Sequence, residues 1–253
     1  MKKHPLFTIV HEDSFLVAVN KVSGLSVGAD RWDEGRERLD RLLEKDGRKL
    51  FTVHRIDKDT SGLVLFAKDE ATHRELSLLF EKRSVKKEYL AVVHGRPSWS
   101  ETVCDLPLVP DGDKLHRTII DKYRGKSSLT RFRLLLSVVS RALLPGNYSL
   151  IEALPETGRT HQIRVHLAAL GCPVVCDPLY GPSAGRGVEK GVFLSSFKKG
   201  WRGDSLEEKP LLNRLGLHAA SLAFSMNGTE FLLQAPLCRD MKALVSQMEK
   251  SAL

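Results

Sequence analysis

The chain has 253 residues, of which 42% are hydrophobic and 28% are charged, and this composition is typical of a globular protein with a folded core. No uninterrupted apolar stretch approaches the roughly 20 residues that a membrane-spanning helix needs, and the start of the chain does not have the pattern of a signal peptide. The 39 Lys and Arg residues exceed the 31 Asp and Glu residues, and the resulting net charge of +8 is compatible with a polyanionic partner such as nucleic acid.

The chain contains four cysteines, at positions 104, 172, 176 and 238. They are too few for a disulfide scaffold in a chain of this length, and their scatter suits a reducing compartment. We therefore expect a cytoplasmic protein.

Apolar runs in the first part of the chain predict strands over 6–10, 15–20 and 51–53, with a short amphipathic helix over 33–45. A polar segment from His54 to Thr60 leads into a strand predicted over 62–67. Asp69 is a good N-cap for a helix that ends near Arg83, and the next strand is predicted over 89–93.

The second part predicts strands over 129–139 and 148–154, followed by a helix with Thr160 as its N-cap and Gly171 as its stop. Asn227-Gly228 separates strands over 217–226 and 231–235 and is a strong hairpin signal, because a type I′ turn needs positive φ at both central residues. A terminal helix is predicted over 240–250.

Strands outnumber helices and are mostly joined as hairpins, without the regular strand–helix alternation of a doubly wound sheet. The predicted fold class is α+β, with a mixed, mainly antiparallel sheet and flanking helices. We expect a single domain over 1–253, with a glycine-rich, basic surface insertion at about 181–212.

The segment His54-Arg55-Ile56-Asp57-Lys58-Asp59-Thr60-Ser61-Gly62 is the densest polar stretch that lies directly against apolar strands. Asp57 could act there as a nucleophile or base, held ionised by an arginine or by backbone N–H groups. A turn in which the Asp and Thr side chains only cap the backbone explains the same pattern equally well.

A second polar cluster runs from Glu156 to His166. A Gly-Arg-Thr turn opens a helix there, and free N–H groups at a helix start form an anion site. Arg164, one turn further on, could pair bidentately with a carboxylate such as Asp57. An ordinary solvated helix start is the alternative.

Metal and nucleotide-cofactor chemistry find no support in the motifs. His161, His166, Cys172 and Cys176 do not have the spacing of common zinc sites, and no Walker lysine motif or dinucleotide-binding glycine pattern is present. We expect neither a metal nor a cofactor.

Four motifs in chain order resemble those of the RluA-type pseudouridine synthase family. They are Val53-His54-Arg55-Ile56-Asp57-Lys58-Asp59-Thr60-Ser61-Gly62-Leu63, Lys87-Glu88-Tyr89-Leu90-Ala91-Val92, Thr157 to His166 with its continuation to Gly181, and Leu217-His218-Ala219 with Ala235-Pro236-Leu237. The chain departs from the family pattern at Val22, where a proline is common, and at Ile56, where leucine is usual.

The resemblance implies the pseudouridine synthase fold and an enzyme that isomerises uridine to pseudouridine in rRNA or tRNA, without cofactor or metal. Because the resemblance starts at the first strand, without an N-terminal S4 domain, we expect the catalytic surface alone to find the RNA. We also expect a monomer.

The resemblance also implies roles for individual residues. Asp57 is the catalytic aspartate, and Tyr89 stacks on the base and serves in proton transfer. Arg164 pairs with the catalytic carboxylate, and Arg55 fills the gap left by the flipped uridine. Four neighbours in the motifs are expected to contact the substrate: His54, Thr60, Arg159 and His161.

Three basic clusters are candidate RNA-binding surfaces, although each could simply be a solvated face. They comprise Lys82, Arg83, Lys86 and Lys87; then Lys114, His116, Arg117, Lys122, Arg124 and Lys126; then Arg186, Lys190, Lys198, Lys199 and Arg202 with Phe197 and Trp201. Two alternative functions remain: an RNA-binding or base-flipping protein with little turnover, and a uridine-nucleoside hydrolase that uses Asp57.

Overall fold

A computed structural model of the chain describes residues 5–29, 37–45, 47–139, 146–182, 189, 191–198, 201–204 and 207–252. The predicted start of the first helix at residue 33 lies outside the described residues. The same holds for three members of the third basic cluster, Arg186, Lys190 and Lys199.

Within these ranges the chain forms twelve strands and four α-helices. In chain order they are β1 (Phe7–Glu12), β2 (Leu16–Lys21), α1 (Leu39–Lys45), β3 (Phe51–Thr52), β4 (Ser61–Ala67), α2 (Glu70–Glu81), β5 (Lys86–His94), β6 (Glu101–Cys104), β7 (Leu108–Val109), β8 (Ile119–Ile120), β9 (Thr130–Val138), β10 (Tyr148–Pro155), α3 (Gln162–Ala169), β11 (Leu217–Met226), β12 (Thr229–Gln234) and α4 (Arg239–Ala252). None of the described helices is long and apolar enough to cross a membrane.

The chain divides into two compact units, one formed by Met1–Glu88 and His218–Cys238 and the other by Tyr89–Leu217 and Arg239–Leu253. The domain count of one stays a prediction.

The sheet of the first unit is built around β4, whose seven residues are all buried. β2 pairs with it antiparallel and with β1 on its other side, and β11 pairs with β4 in parallel. α2 packs against β4 and β3. Its N-cap is Asp69, whose carboxylate accepts a hydrogen bond from the Thr72 backbone N–H at 2.8 Å, as predicted.

The β11–β12 hairpin closes this unit. Asn227 and Gly228 have φ angles of 52° and 74°, so both central residues have positive φ, as the predicted turn requires. The flanking strands pair antiparallel from Ser221–Gln234 to Met226–Thr229.

The second unit contains antiparallel strands in the order β5-β10-β9-β6 and a separate pair, β7 and β8. α3 packs against β9 and β10, and α4 packs against β9. In the core of the second unit, strand residues such as Ala91, Phe132 and Ile151 pack with Ile163 and Leu167 of α3.

The fold class is therefore confirmed, with mainly antiparallel pairing and with parallel pairing between β4 and β11. The strands β6, β7 and β8 are not predicted from the sequence. They are short and only partly buried, so their residues do not show a detectable alternation of apolar and polar positions.

Candidate active site

The segment 54–60 is a loop in the first unit, held by hydrogen bonds to its backbone carbonyl groups. The Lys58 carbonyl accepts hydrogen bonds from the Gly24 N–H and from Lys21 Nζ, both at 2.9 Å. The Asp59 carbonyl accepts a hydrogen bond from Ser23 Oγ at 2.6 Å. The neighbouring 21–24 segment therefore supports the loop in front of β4.

Asp57 is half-buried in this loop, between buried Ile56 and half-buried Lys58. A turn is present, because the Thr60 N–H donates to the Asp57 carbonyl oxygen at 3.1 Å. Backbone atoms make this bond, so the turn does not consume the Asp57 carboxylate. The catalytic role of Asp57 stays a prediction.

The two other predicted residues next to Asp57 differ in exposure. Arg55 is exposed, while Thr60 is only 1% exposed and its Oγ1 has no hydrogen-bond partner among the described residues. A buried hydroxyl without a partner is costly, so a polar partner from solvent or substrate is expected there. Their substrate contacts remain predictions.

His54 connects the loop to the sheet. One edge of β4 pairs with β2, and the opposite edge pairs with β3 at one end and with β11 at the other. Leu65 lies between these two pairings, and its N–H donates a hydrogen bond to His54 Nε2 at 3.0 Å. The imidazole also stacks on Phe80, with ring centroids 4.6 Å apart. Burial, with a smaller effect from the Lys87 charge, lowers the pKa of His54 to about 3, so the ring is neutral. This geometry makes His54 a support of the loop, and its predicted substrate contact is untested.

The predicted N-cap of α3 is wrong. The helix begins at Gln162, and the residue before it is His161, in the left-handed conformation with φ of 53°. The Gln162 Oε1 atom accepts hydrogen bonds from Thr157 Oγ1 at 2.7 Å and from the Arg159 N–H at 3.0 Å. Because the side chain of Gln162 reaches back to close the turn, Thr160 is left exposed and has no capping role.

Arg164 is buried on α3 and binds a carboxylate side-on. Its Nε and Nη2 atoms donate to Asp177 Oδ2 and Oδ1, each at 2.8 Å, and the two side chains are 2% and 0% exposed. Asp177 lies in the motif continuation, but no role was predicted for it. The predicted pairing of Arg164 with Asp57 joins residues of the two units and stays a prediction.

Tyr180 contacts both His161 and Arg164. The Tyr180 hydroxyl oxygen accepts from the Thr118 N–H at 2.8 Å and lies 2.9 Å from His161 Nδ1. Burial raises the pKa of Tyr180 to about 12, so the hydroxyl stays protonated and can donate a hydrogen bond to His161 Nδ1. The Arg164 guanidinium lies over the Tyr180 ring, 5.1 Å from its centroid.

Two further predicted residues, Tyr89 and Arg159, lie in the second unit. Tyr89 is half-buried, packs against the core and stands opposite Ala153 of β10. Arg159 donates from Nε to the Ser127 carbonyl at 3.2 Å. Neither contact tests the predicted role of the residue.

Phe197 does not fit its predicted surroundings. It is buried and its ring lies 5.5 Å from that of Tyr148, so it is a packing residue rather than an exposed aromatic of the basic insertion.

No group of three or more metal-ligating side chains is found among the described residues, and their four cysteines are free.

Comparisons with known proteins identify the family. The family model described as RNA pseudouridylate synthase matches residues 15–169, more than half of the chain. The chain is 35% identical over 221 residues to the dual-specificity RNA pseudouridine synthase RluA of Pasteurella multocida, covering 87% of each protein. It is 35% identical over 244 residues to the ribosomal large subunit pseudouridine synthase C of Haemophilus ducreyi, covering 95% of this chain and 68% of that protein.

A solved structure agrees with the sequence relatives. Human RNA pseudouridylate synthase domain containing 4 superposes with a TM-score of 0.69 at 26% identity, covering 95% of this chain and 92% of the human one. The motifs, the fold and the relatives are consistent, and the chain belongs to the RNA pseudouridylate synthase family.

Proposed function

We propose that this protein isomerises specific uridines in rRNA or tRNA to pseudouridine, with Asp57 as the catalytic residue. The observation that carries the proposal is Asp57 itself, in a loop held by hydrogen bonds from Gly24 and Lys21, in a chain of the RNA pseudouridylate synthase family. The relatives in Pasteurella multocida and Haemophilus ducreyi are named for dual-specificity RNA and ribosomal large subunit substrates, which supports rRNA or tRNA as the substrate class.

The reaction moves the glycosidic bond of uridine from N1 to C5. The N1–C1′ bond breaks, the uracil turns, and C5 joins C1′; C5 then loses its hydrogen and N1 gains one. Substrate and product have the same composition, so the proposed reaction needs no oxidant, reductant or group donor. Asp57 acts at the cleavage of the N1–C1′ bond, where a carboxylate can act as a nucleophile or stabilise positive charge.

Three other residues complete the proposed machinery. Tyr89 stacks on the base and takes part in proton transfer, and Arg164 pairs with the Asp57 carboxylate. Arg55, which is exposed, fills the gap left by the flipped uridine. Flipping costs a few kcal/mol of unstacking, and an aromatic partner together with an intruding side chain offsets that cost.

The 108–126 segment of the second unit, which contains β7 and β8, is our preferred RNA-binding surface. Asp121 Oδ1 accepts hydrogen bonds from the N–H groups of Tyr123 and Arg124, both at 2.9 Å, and this turn leaves Tyr123 98% exposed. Exposed cations follow and precede it along the segment: Lys114, Lys122, Arg124 and Lys126. An aromatic ring between cations suits stacking on an unpaired base next to phosphates.

The remaining features are part of the same proposal. We infer that the protein is a monomer and that it needs no metal. Light scattering tests the first inference, and activity assays in the presence of a chelator test the second. The free cysteines and the RNA substrate support a cytoplasmic location, and cell fractionation tests it.

The experiment incubates the protein with unmodified transcripts of tRNA and of rRNA, digests the RNA to nucleosides and measures pseudouridine. We expect pseudouridine to rise in at least one pool. If neither pool gains pseudouridine while the protein binds both, the protein is an RNA binder and the proposed function is wrong.

A further inference from the structure

We propose that Asp177 is a positioning residue for Arg164, fixing its guanidinium group for the reaction. This inference rests on the proposed function, because it gives Arg164 a part in catalysis. It goes beyond the family resemblance, which implies no role for Asp177.

The pairing geometry leaves Arg164 able to serve a second carboxylate. Asp177 takes the side of the guanidinium formed by Nε and Nη2. A guanidinium carries five N–H donors in a planar fork, so the hydrogens on Nη1 point away from that side. One arginine can therefore be held by Asp177 and present Nη1 to a different acceptor.

Asp177 is itself a fixed anchor. Its side chain is fully buried, and Oδ1 also accepts hydrogen bonds from the N–H groups of Leu179 at 2.9 Å and Tyr180 at 3.1 Å. A carboxylate bound by a backbone turn on one side and by a guanidinium on the other has no freedom to follow a moving arginine. The turn therefore sets the position of Arg164.

Tyr180 restrains the remaining direction of motion. Its ring covers the guanidinium, and its hydroxyl is bound to Thr118 and His161. Arginine has several rotatable bonds, so fixing its plane before the substrate binds removes an ordering cost from the reaction. The buried pair and the stacked ring together define one position of the group.

The same unit contains a control pair with the same geometry but greater exposure. Arg214 donates from Nε and Nη2 to Asp240 Oδ2 and Oδ1, both at 2.7 Å, and the two side chains are 18% and 35% exposed. Neither residue belongs to the active-site motifs or to the proposed machinery. Asp240→Asn therefore removes a similar ion pair without touching Arg164.

The experiment compares Asp177→Asn with Asp240→Asn in single-turnover and steady-state pseudouridine formation. Asparagine keeps one side-chain oxygen for the Leu179 and Tyr180 N–H groups but replaces the other by an NH₂ group that cannot accept from Arg164. We expect kcat to fall about 100-fold in Asp177→Asn, the size of effect that a misplaced catalytic group has, with KM near the wild-type value. The control should keep the wild-type kcat, and both variants are assayed at a temperature where circular dichroism shows them folded.

Asp177→Glu is the second variant, in case Asp177→Asn does not fold. It keeps the charge and displaces the guanidinium by one methylene group, so kcat should fall at a temperature where the variant is folded. Wild-type kcat in either folded Asp177 variant, or equal losses in Asp177→Asn and Asp240→Asn, would overturn the proposal. Inactive wild-type protein would instead contradict the proposed function.

Discussion

At the scale of single residues, His54 and Arg164 have hydrogen-bond partners eleven and thirteen positions away in sequence. His54 supports β4 through Leu65, and Arg164 is held by Asp177, thirteen positions further along the chain. Composition and spacing indicated that both residues belong to polar motifs. Their partners could not be predicted, because each partner is brought close by the fold and not by a local pattern.

The neutral state of His54 predicts a dependence of stability on pH. Burial lowers its pKa to about 3 from 6.5, so below pH 6.5 the unfolded chain binds a proton that the folded chain does not. The free energy of unfolding should therefore decrease as the pH falls from 6.5 towards 3, by up to about 1.4 kcal/mol per pH unit from this group.

Urea unfolding of wild type and His54→Gln at several pH values checks this. Gln keeps an acceptor for the Leu65 N–H but does not titrate, so the variant should have a shallower slope. Equal slopes for wild type and His54→Gln would show that His54 does not titrate in this way.

Removing Arg164 should damage stability as well as activity. Arg164→Ala leaves the fully buried Asp177 carboxylate without its cation, and breaking a buried ion pair from one side typically costs about 3–5 kcal/mol. Chemical unfolding measures the first effect and pseudouridine formation the second. A variant with wild-type stability would disprove the structural importance of the pair.

At the scale of elements, local signals predicted the fold well where the structure depends on neighbouring residues. The Asn227-Gly228 turn and the Asp69 cap of α2 are examples, because a positive φ angle and a capping carboxylate are local requirements. Thr160 failed as a cap because the side chain of Gln162 closes that turn instead. The close approach of Gly62 to Ala219 could not be predicted from local sequence either, since β11 lies more than 150 residues away.

Gly62 is required where β4 meets β11. It has a φ angle of 114°, and a Cβ atom there would lie 2.2 Å from the Ala219 carbonyl oxygen. Gly62→Ala should therefore destabilise the protein by more than the roughly 1 kcal/mol expected from an unfavourable φ angle alone. Because the Asp57 loop leads directly into β4, activity should fall as well.

Gly228→Ala is the matched control for this effect. Gly228 also has a positive φ angle, 74°, but nothing lies within 4 Å of the position of its Cβ atom. Thermal unfolding should show a clearly larger loss for Gly62→Ala than for Gly228→Ala. Equal losses would mean that the close approach of the two strands is not what demands glycine.

At the scale of the whole molecule, the net charge of +8 favours electrostatic attraction to the phosphates of RNA. Lysine and arginine side chains that contact phosphates release counterions, so the dissociation constant for tRNA or rRNA fragments should rise steeply with salt. Titrations between about 50 and 200 mM salt, a range over which such contacts weaken binding strongly, measure the slope. A dissociation constant independent of salt would contradict the basic-surface argument.

The central claim is that the Asp57 carboxylate drives isomerisation of uridine in RNA. The most direct measurement is tritium release from RNA labelled at uridine C5, because joining C5 to C1′ must expel that hydrogen. Wild type should release tritium, while Asp57→Asn should release none and should bind RNA within a few-fold of wild type. Release by Asp57→Asn at the wild-type rate would contradict the account.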